Sequence, residues 1–119
     1  MEAKWKVIYS DEIREWVMGL PPADARIARK MFDLLETFGI RLRMPHSKPL
    51  GQGLFELRFD IERGTVAQRV TYFFDPRRSA IVLTTFRKTK RSEAAEIARA
   101  RAVKAEYERQ RYEEGGGHD

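Results

Sequence analysis

LGQGLFELRFD, residues 50–60, followed by QRVTYFF, residues 68–74, decides how this chain is read. Both runs are strand-like in composition, and each carries one arginine in its interior. Side chains alternate across a sheet, so Phe55, Leu57 and Phe59 share one face while Glu56, Arg58 and Asp60 share the other. In the second run Val70, Tyr72 and Phe74 share a face, with Arg69 and Thr71 opposite. Helices can cover the apolar face, which leaves Arg58 and Arg69 together on an open polar face of neighbouring strands. Two guanidiniums side by side repel unless an anion lies between them. Glu56 or Asp60 can provide it in a cross-strand ion pair worth at most about 1 kcal/mol. A phosphate can provide it too, and the planar arginine fork suits phosphate.

Around this pair the chain reads as alternating elements. WKVIY, residues 5–9, is a short strand, and Ser10 with Asp11 and Glu12 starts a helix over residues 11–19. Leu20-Pro21-Pro22 breaks it. A second helix spans residues 22–38, with Ile27, Met31, Leu34, Leu35 and Phe38 at helical spacing and Gly39 as its stop. Residues 40–53, rich in Pro, Gly and Arg, read as an ordered loop. Strands follow at residues 54–60, 66–74 and 80–86, the last two joined by the turn Asp75-Pro76-Arg77-Arg78. The alanine-rich segment 92–114, capped by Ser92, predicts a helix with a thin apolar side that a partner could cover. The expected architecture is α+β: a twisted antiparallel sheet of about four strands, two N-terminal helices on one face, and a C-terminal helix. One domain over residues 1–114 and a flexible tail over 115–119 complete it.

A chain of 119 residues holds one core. It contains no cysteine, which excludes disulfides and thiolate metal sites and fits a reducing cytoplasm. Two distant histidines, His46 and His118, give no metal-site spacing, so neither metal nor cofactor is expected. No run approaches the roughly 18 apolar residues of a membrane span, and the first residues lack an apolar signal core. The reading is a soluble cytoplasmic protein. The net charge of +5 favours an anionic partner, and its distribution says more than its size. RLRMPHSK, residues 41–48, holds Arg41, Arg43 and Lys48 without an acid, and RKTKR, residues 87–91, holds Arg87, Lys88, Lys90 and Arg91. Lys88 and Lys90 share parity with Thr84 and Phe86, which would bring them to the arginine face. With Phe86 or Tyr72 to stack a base, the pattern describes a cationic bowl for RNA.

The ordered set L-x-x-G-L-F-E-L-R at residues 50–58, R-V-x-Y-F at 69–73, F-x-K-x-x-K/R-S at 86–92 and E-I-x-x-A at 96–100 resembles the phage-derived, HigB-like branch of the RelE toxin superfamily. The resemblance extends over about residues 4–105 and includes the order of elements. It implies a RelE-like fold and a toxin of a type II toxin–antitoxin module: a metal-independent endoribonuclease cutting mRNA, commonly on the ribosome. An antitoxin, commonly with a helix-turn-helix domain, would neutralise it. The implied reaction is attack of a ribose 2′-hydroxyl on the adjacent phosphate. By position, Arg69 matches the family's phosphate-stabilising arginine and Arg58 the arginine that ends the preceding strand motif. Lys88 and Lys90 fall in the basic segment that contributes charge or proton transfer. Arg41, Arg43, His46, Lys48, Arg87 and Arg91 would hold RNA.

The sequence also departs from that pattern. Family members often place a tyrosine or histidine near the start of the last helix, where this chain reads SEAAE. The general base is therefore unassigned among Glu56, His46, Lys88 and Lys90. A non-catalytic RNA- or protein-binding module on the same fold stays open as an alternative. So does a structural role in which the arginines pair only with Glu56 and Asp60.

Overall fold

Strands that are apolar on both sides need cover on both sides, and here each face of one sheet receives it. The computed structural model describes residues 4–91 and 93–116, with side chains as far as residue 111 in the last helix. The element order is β1 (Lys6–Tyr9), α1 (Asp11–Met18), α2 (Pro22–Phe38), a 3-10 turn (Gly39–Arg41), β2 (Ser47–Gly51), β3 (Leu54–Ile61), β4 (Val66–Asp75), β5 (Ser79–Arg87) and α3 (Glu93–Gly116). The five strands form one sheet in the order β1-β5-β4-β3-β2. β2 to β5 run as an antiparallel meander, and β1 adds to β5 in parallel. The architecture is the expected α+β one.

Local chemistry explains the helix ends. The Ser10 hydroxyl accepts from the Ile13 N–H, capping α1, and donates to the Leu83 carbonyl at 2.7 Å, pinning that cap to β5. Pro22 begins α2, where its missing N–H costs nothing. Gly39 ends it at φ +50°, and a Cβ there would collide with the Trp5 indole.

α1 and α2 cover one face. Ile13, Ala28, Met31, Phe32 and Leu35 pack on Leu57, Phe59, Val70, Tyr72 and Val82. α3 crosses the other face, where Ile97, Ala100, Val103 and Tyr107 meet Leu54, Phe73, Ile81 and Leu83. Burial on both faces accounts for the nearly unbroken apolar run of β5.

Four expectations change. The loop expected at residues 40–53 contains β2, a fifth strand that its sequence, SKPLG, does not signal. It pairs with β3 as an edge strand, the place where Pro49 needs no ladder N–H. The parallel β1 makes the sheet mixed rather than wholly antiparallel. The polar face of β3 and β4 is only partly open, because α3 lies across it and packs on Leu54 and Phe73, and Arg69, expected in the open, is largely buried while Arg58 stays half-buried. α3 itself continues to Gly116, into the expected tail. Ser92, expected as its cap, and residues 117–119, with His118, lie outside the described residues. No helix among the described residues is long and apolar enough to cross a membrane.

Candidate nucleic-acid interface

The β3–β4 register sets Arg58 directly opposite Arg69, and the β4–β5 register sets Arg69 opposite Phe86. The adjoining row across the sheet is Lys48, Glu56, Thr71 and Thr84. Glu56 is buried, and one of its carboxylate oxygens, Oε2, lies 3.6 Å from Arg58 Nε and 3.7 Å from Arg69 Nε. Neither Glu56 oxygen nor either Nε has a hydrogen-bond partner among the described residues. The carboxylate therefore holds both arginines by charge alone, and two cations on one carboxylate leave one positive charge in excess.

The electrostatics follow from burial. Desolvation pushes the Glu56 carboxyl above the usual range, and Glu93 in the first turn of α3 adds to the rise, against Arg69, Arg58 and Lys48. Desolvation also lowers Arg69, as does the charge of Arg58, against the pull of Glu56. Arg69 donates to the Gln68 carbonyl at 3.0 Å. Arg58 Nη1 lies 3.5 Å from the Met44 thioether.

Beside this pair opens a groove of ≈ 470 Å³ lined by His46, Arg58, Asp60 and Arg69 together with Met31, Met44, Pro45 and Phe59. The His46 carbonyl accepts the Arg58 N–H at 2.9 Å, so the 42–46 loop is fixed to β3 at the groove's rim. Lys48 faces Glu56 across the β2–β3 ladder with its side chain in solvent. Arg41 and Arg43 are exposed on the approach, and Arg43 Nη1 donates to the Ile40 carbonyl at 2.7 Å. Beyond β5, the Lys88 N–H still bonds the Ala67 carbonyl at 2.8 Å, so the strand register does persist to this lysine. Lys88, Lys90 and Arg91 are exposed.

Three expected RNA contacts are placed elsewhere or shut in. Tyr72 lies on the helix-covered face, buried, with its hydroxyl bonded to Ser47 Oγ. Burial pushes its pKa up to about 12, so it neither stacks a base nor moves a proton here. Phe86 shares the arginine face but is itself buried, leaving it no free ring face. Arg87 is paired with Gln68, a residue of the opposite face, and its guanidinium binds Glu62 at 3.0 Å. Sequence reasoning missed Met44 and Glu93. Nothing in the sequence tells that the start of α3 reaches the arginine row, but Met44 stands in the basic loop and could have been found as an exposed apolar residue among cations.

Residues 15–105 match the model of the phage-derived Gp49-like proteins (DUF891). The chain belongs to this family. Among solved structures, one chain of the crystal structure of the toxin–antitoxin complex RelBE2 from Mycobacterium tuberculosis is similar, with a TM-score of 0.54 and 20% identity. The match covers 72% of the present chain and 100% of that one. At that identity the likeness concerns the fold, which is RelE-like. No match is found among the curated proteins. The family match takes in both strand arginines, the loop between α2 and β2 and the first half of α3. Among the described residues, no group of three or more His, Asp or Glu side chains is placed to hold a metal ion.

Proposed function

We propose that this Gp49-like protein is the toxin of a type II toxin–antitoxin pair, of the HigB-like kind, and that it is a cytoplasmic endoribonuclease acting on mRNA, with the ribosome presenting the substrate. A cognate antitoxin, of the helix-turn-helix class that the resemblance implies, is its partner. The observation that carries the reading is Arg58 and Arg69 held side by side by a single buried carboxylate on the floor of an open groove.

In this mechanism the scissile phosphate settles on the two arginines, whose charge Glu56 only half cancels. The 2′-hydroxyl loses its proton and its oxygen bonds to phosphorus. The bond to the 5′-oxygen breaks, that oxygen takes up a proton, and a 2′,3′-cyclic phosphate remains. Negative charge builds on the phosphorane, where fixed guanidiniums stabilise it most. Glu56 is shut away from solvent and serves to position the arginines. Proton transfer falls to the exposed groups around the groove: His46 on its rim, and Lys88 and Lys90 beyond β5. Arg41, Arg43, Lys48 and Arg91 hold flanking phosphates.

One observation favours a second reading. Among the described residues, the ion pairs made by the arginine pair are with the buried Glu56, which is shut away from solvent. That suits a non-catalytic RNA-binding module. Induced expression of the wild type beside Arg69→Ala and Lys88→Ala separates the two. The toxin reading expects growth arrest with cleaved transcripts, relieved in Arg69→Ala. Intact growth and transcripts under wild-type expression, without antitoxin, would defeat it.

A further inference from the structure

An exposed apolar shelf adjoins the arginine groove at Met44, around the edge of β3, on the face that carries Phe55 and Tyr72. Ile40 and Met44 are 57% and 56% exposed, in a loop otherwise dominated by cations. They line a second cavity of ≈ 260 Å³ with Leu42, Arg43, Pro49 and Phe55. Met44 belongs to both cavities, and its sulfur rests against Arg58. At the back, Phe55 is stacked on Tyr72, with ring centroids 5.5 Å apart, so its position is fixed from below. At the rim, Arg43 is tied to the Ile40 and Leu42 carbonyls at 2.7 and 3.3 Å, which holds its guanidinium plane beside the shelf.

We propose that the Ile40–Met44–Phe55 shelf is a nucleobase subsite, holding the base of the nucleotide whose phosphate lies on Arg58 and Arg69. The inference rests on the RNA reading given above and adds what that reading lacks, a place for the base. RNA alternates a charged phosphate with a flat, weakly polar base. A cationic floor that passes, across Met44 at the β3 edge, to an apolar shelf on the other face reproduces that alternation. A free inorganic anion would fill the first half and leave the second bare to water. The flanking Arg43 supplies a planar cation of the kind that stacks on bases. Neither Tyr72 nor Phe86 offers a free ring, so base contact passes to this shelf.

The test uses the full chain with 13C-labelled methionine methyls and two short oligonucleotides of equal length and charge. One is a 2′-O-methyl RNA, which has no free 2′-hydroxyl to attack. The other carries abasic sugars throughout. The base-bearing chain should move the Met44 methyl upfield by ring current, and the abasic chain should leave it in place. Met18, exposed on α1, is the internal control. Ile40→Ser and Met44→Ser should each weaken binding of the base-bearing chain, by roughly 10-fold for loss of one stacked base, and Ile40→Ser, at a position that does not line the arginine groove, should leave abasic binding unchanged. Binding that depends on Arg69 but leaves Met44 unmoved and both serine variants wild-type would overturn the subsite while sparing the RNA reading, and would leave the shelf to a protein partner. Equal loss for both oligonucleotides would make the shelf a mere support for Arg58, and would also overturn it. Failure of the wild type to bind either chain in an Arg69-dependent way would remove the RNA reading and this inference together.

Discussion

At the scale of single residues, burying Glu56 carries a cost. Its carboxylate is buried between two arginines at distances beyond hydrogen bonding, so charge offsets desolvation only in part. Its folded pKa is therefore raised, and the sign of the linkage follows. Stability from this group is fully present below the ordinary carboxylate range and is lost as pH rises through the folded value. Wild-type stability should fall with rising pH across that window relative to Glu56→Gln, which denaturant melts over a pH series would read. A variant with the same pH profile as wild type would show that the Glu56 pKa does not change on folding. Gly39 is the second such residue. It sits at φ +50° with the Trp5 indole where a Cβ would go, so Gly39→Ala brings both backbone strain and a clash. A loss of about 2–4 kcal/mol is expected in urea unfolding, with the m-value unchanged.

At the scale of elements, α3 is the piece whose position matters most. It is held to the sheet by the thin apolar seam of Ile97, Ala100, Val103 and Tyr107, and its polar ties compensate for that thinness. Arg101 donates to the Leu50 and Gly51 carbonyls, which also blunts the β2 edge against pairing with another chain. Arg99 grips Glu12 of α1 through two bonds of 2.7 and 2.9 Å, and the Thr85 N–H donates to the same carboxylate. Burial alone would raise the Glu12 pKa, but the hydrogen bonds from Arg99 and Thr85, with the charge of Arg99, hold it below the usual range. Here the linkage has the opposite sign: the stability is present above the unfolded carboxylate pKa and is lost as pH falls through the depressed folded one. Both side chains are partly in solvent, so the expected loss in Glu12→Gln is only about 1 kcal/mol at neutral pH. Thermal melts should show that gap closing in acid, and a gap that persists there would contradict the assignment.

At the scale of the whole molecule, the cations are not equivalent. Lys48, Lys88, Lys90 and Arg91 are exposed, whereas Arg87 is bound to Glu62 and belongs to the opposite parity. If single-stranded RNA lies in the groove, each phosphate contact contributes about 0.7 to the slope of log affinity against log salt. Lys88→Ala should lower that slope by about 0.7, and Arg87→Ala should leave it close to wild type. A salt titration of RNA binding, followed by anisotropy, distinguishes them. Equal slopes for both variants would mean that the basic segment 87–91 acts only through net charge.

The local pattern of the chain determined most of the elements. Helix bounds were legible because Ser10, Pro22 and Gly39 act within a turn of where they stand. Parity was legible too, since a period of two needs no partner, and it placed Arg58 and Arg69 on one face before any pairing was known. What lay beyond the sequence depends on residues distant along the chain. SKPLG becomes a strand only because β3 offers it a ladder. Tyr72 and Phe86 lose their proposed contact with RNA because the fold buries both rings, Tyr72 beneath the N-terminal helices. Glu56 becomes a shared counter-ion rather than a solvated acid because α3 packs across its strand. Pattern fixes which way a side chain points, whereas burial is decided by what packs against it, and only the tertiary structure supplies that.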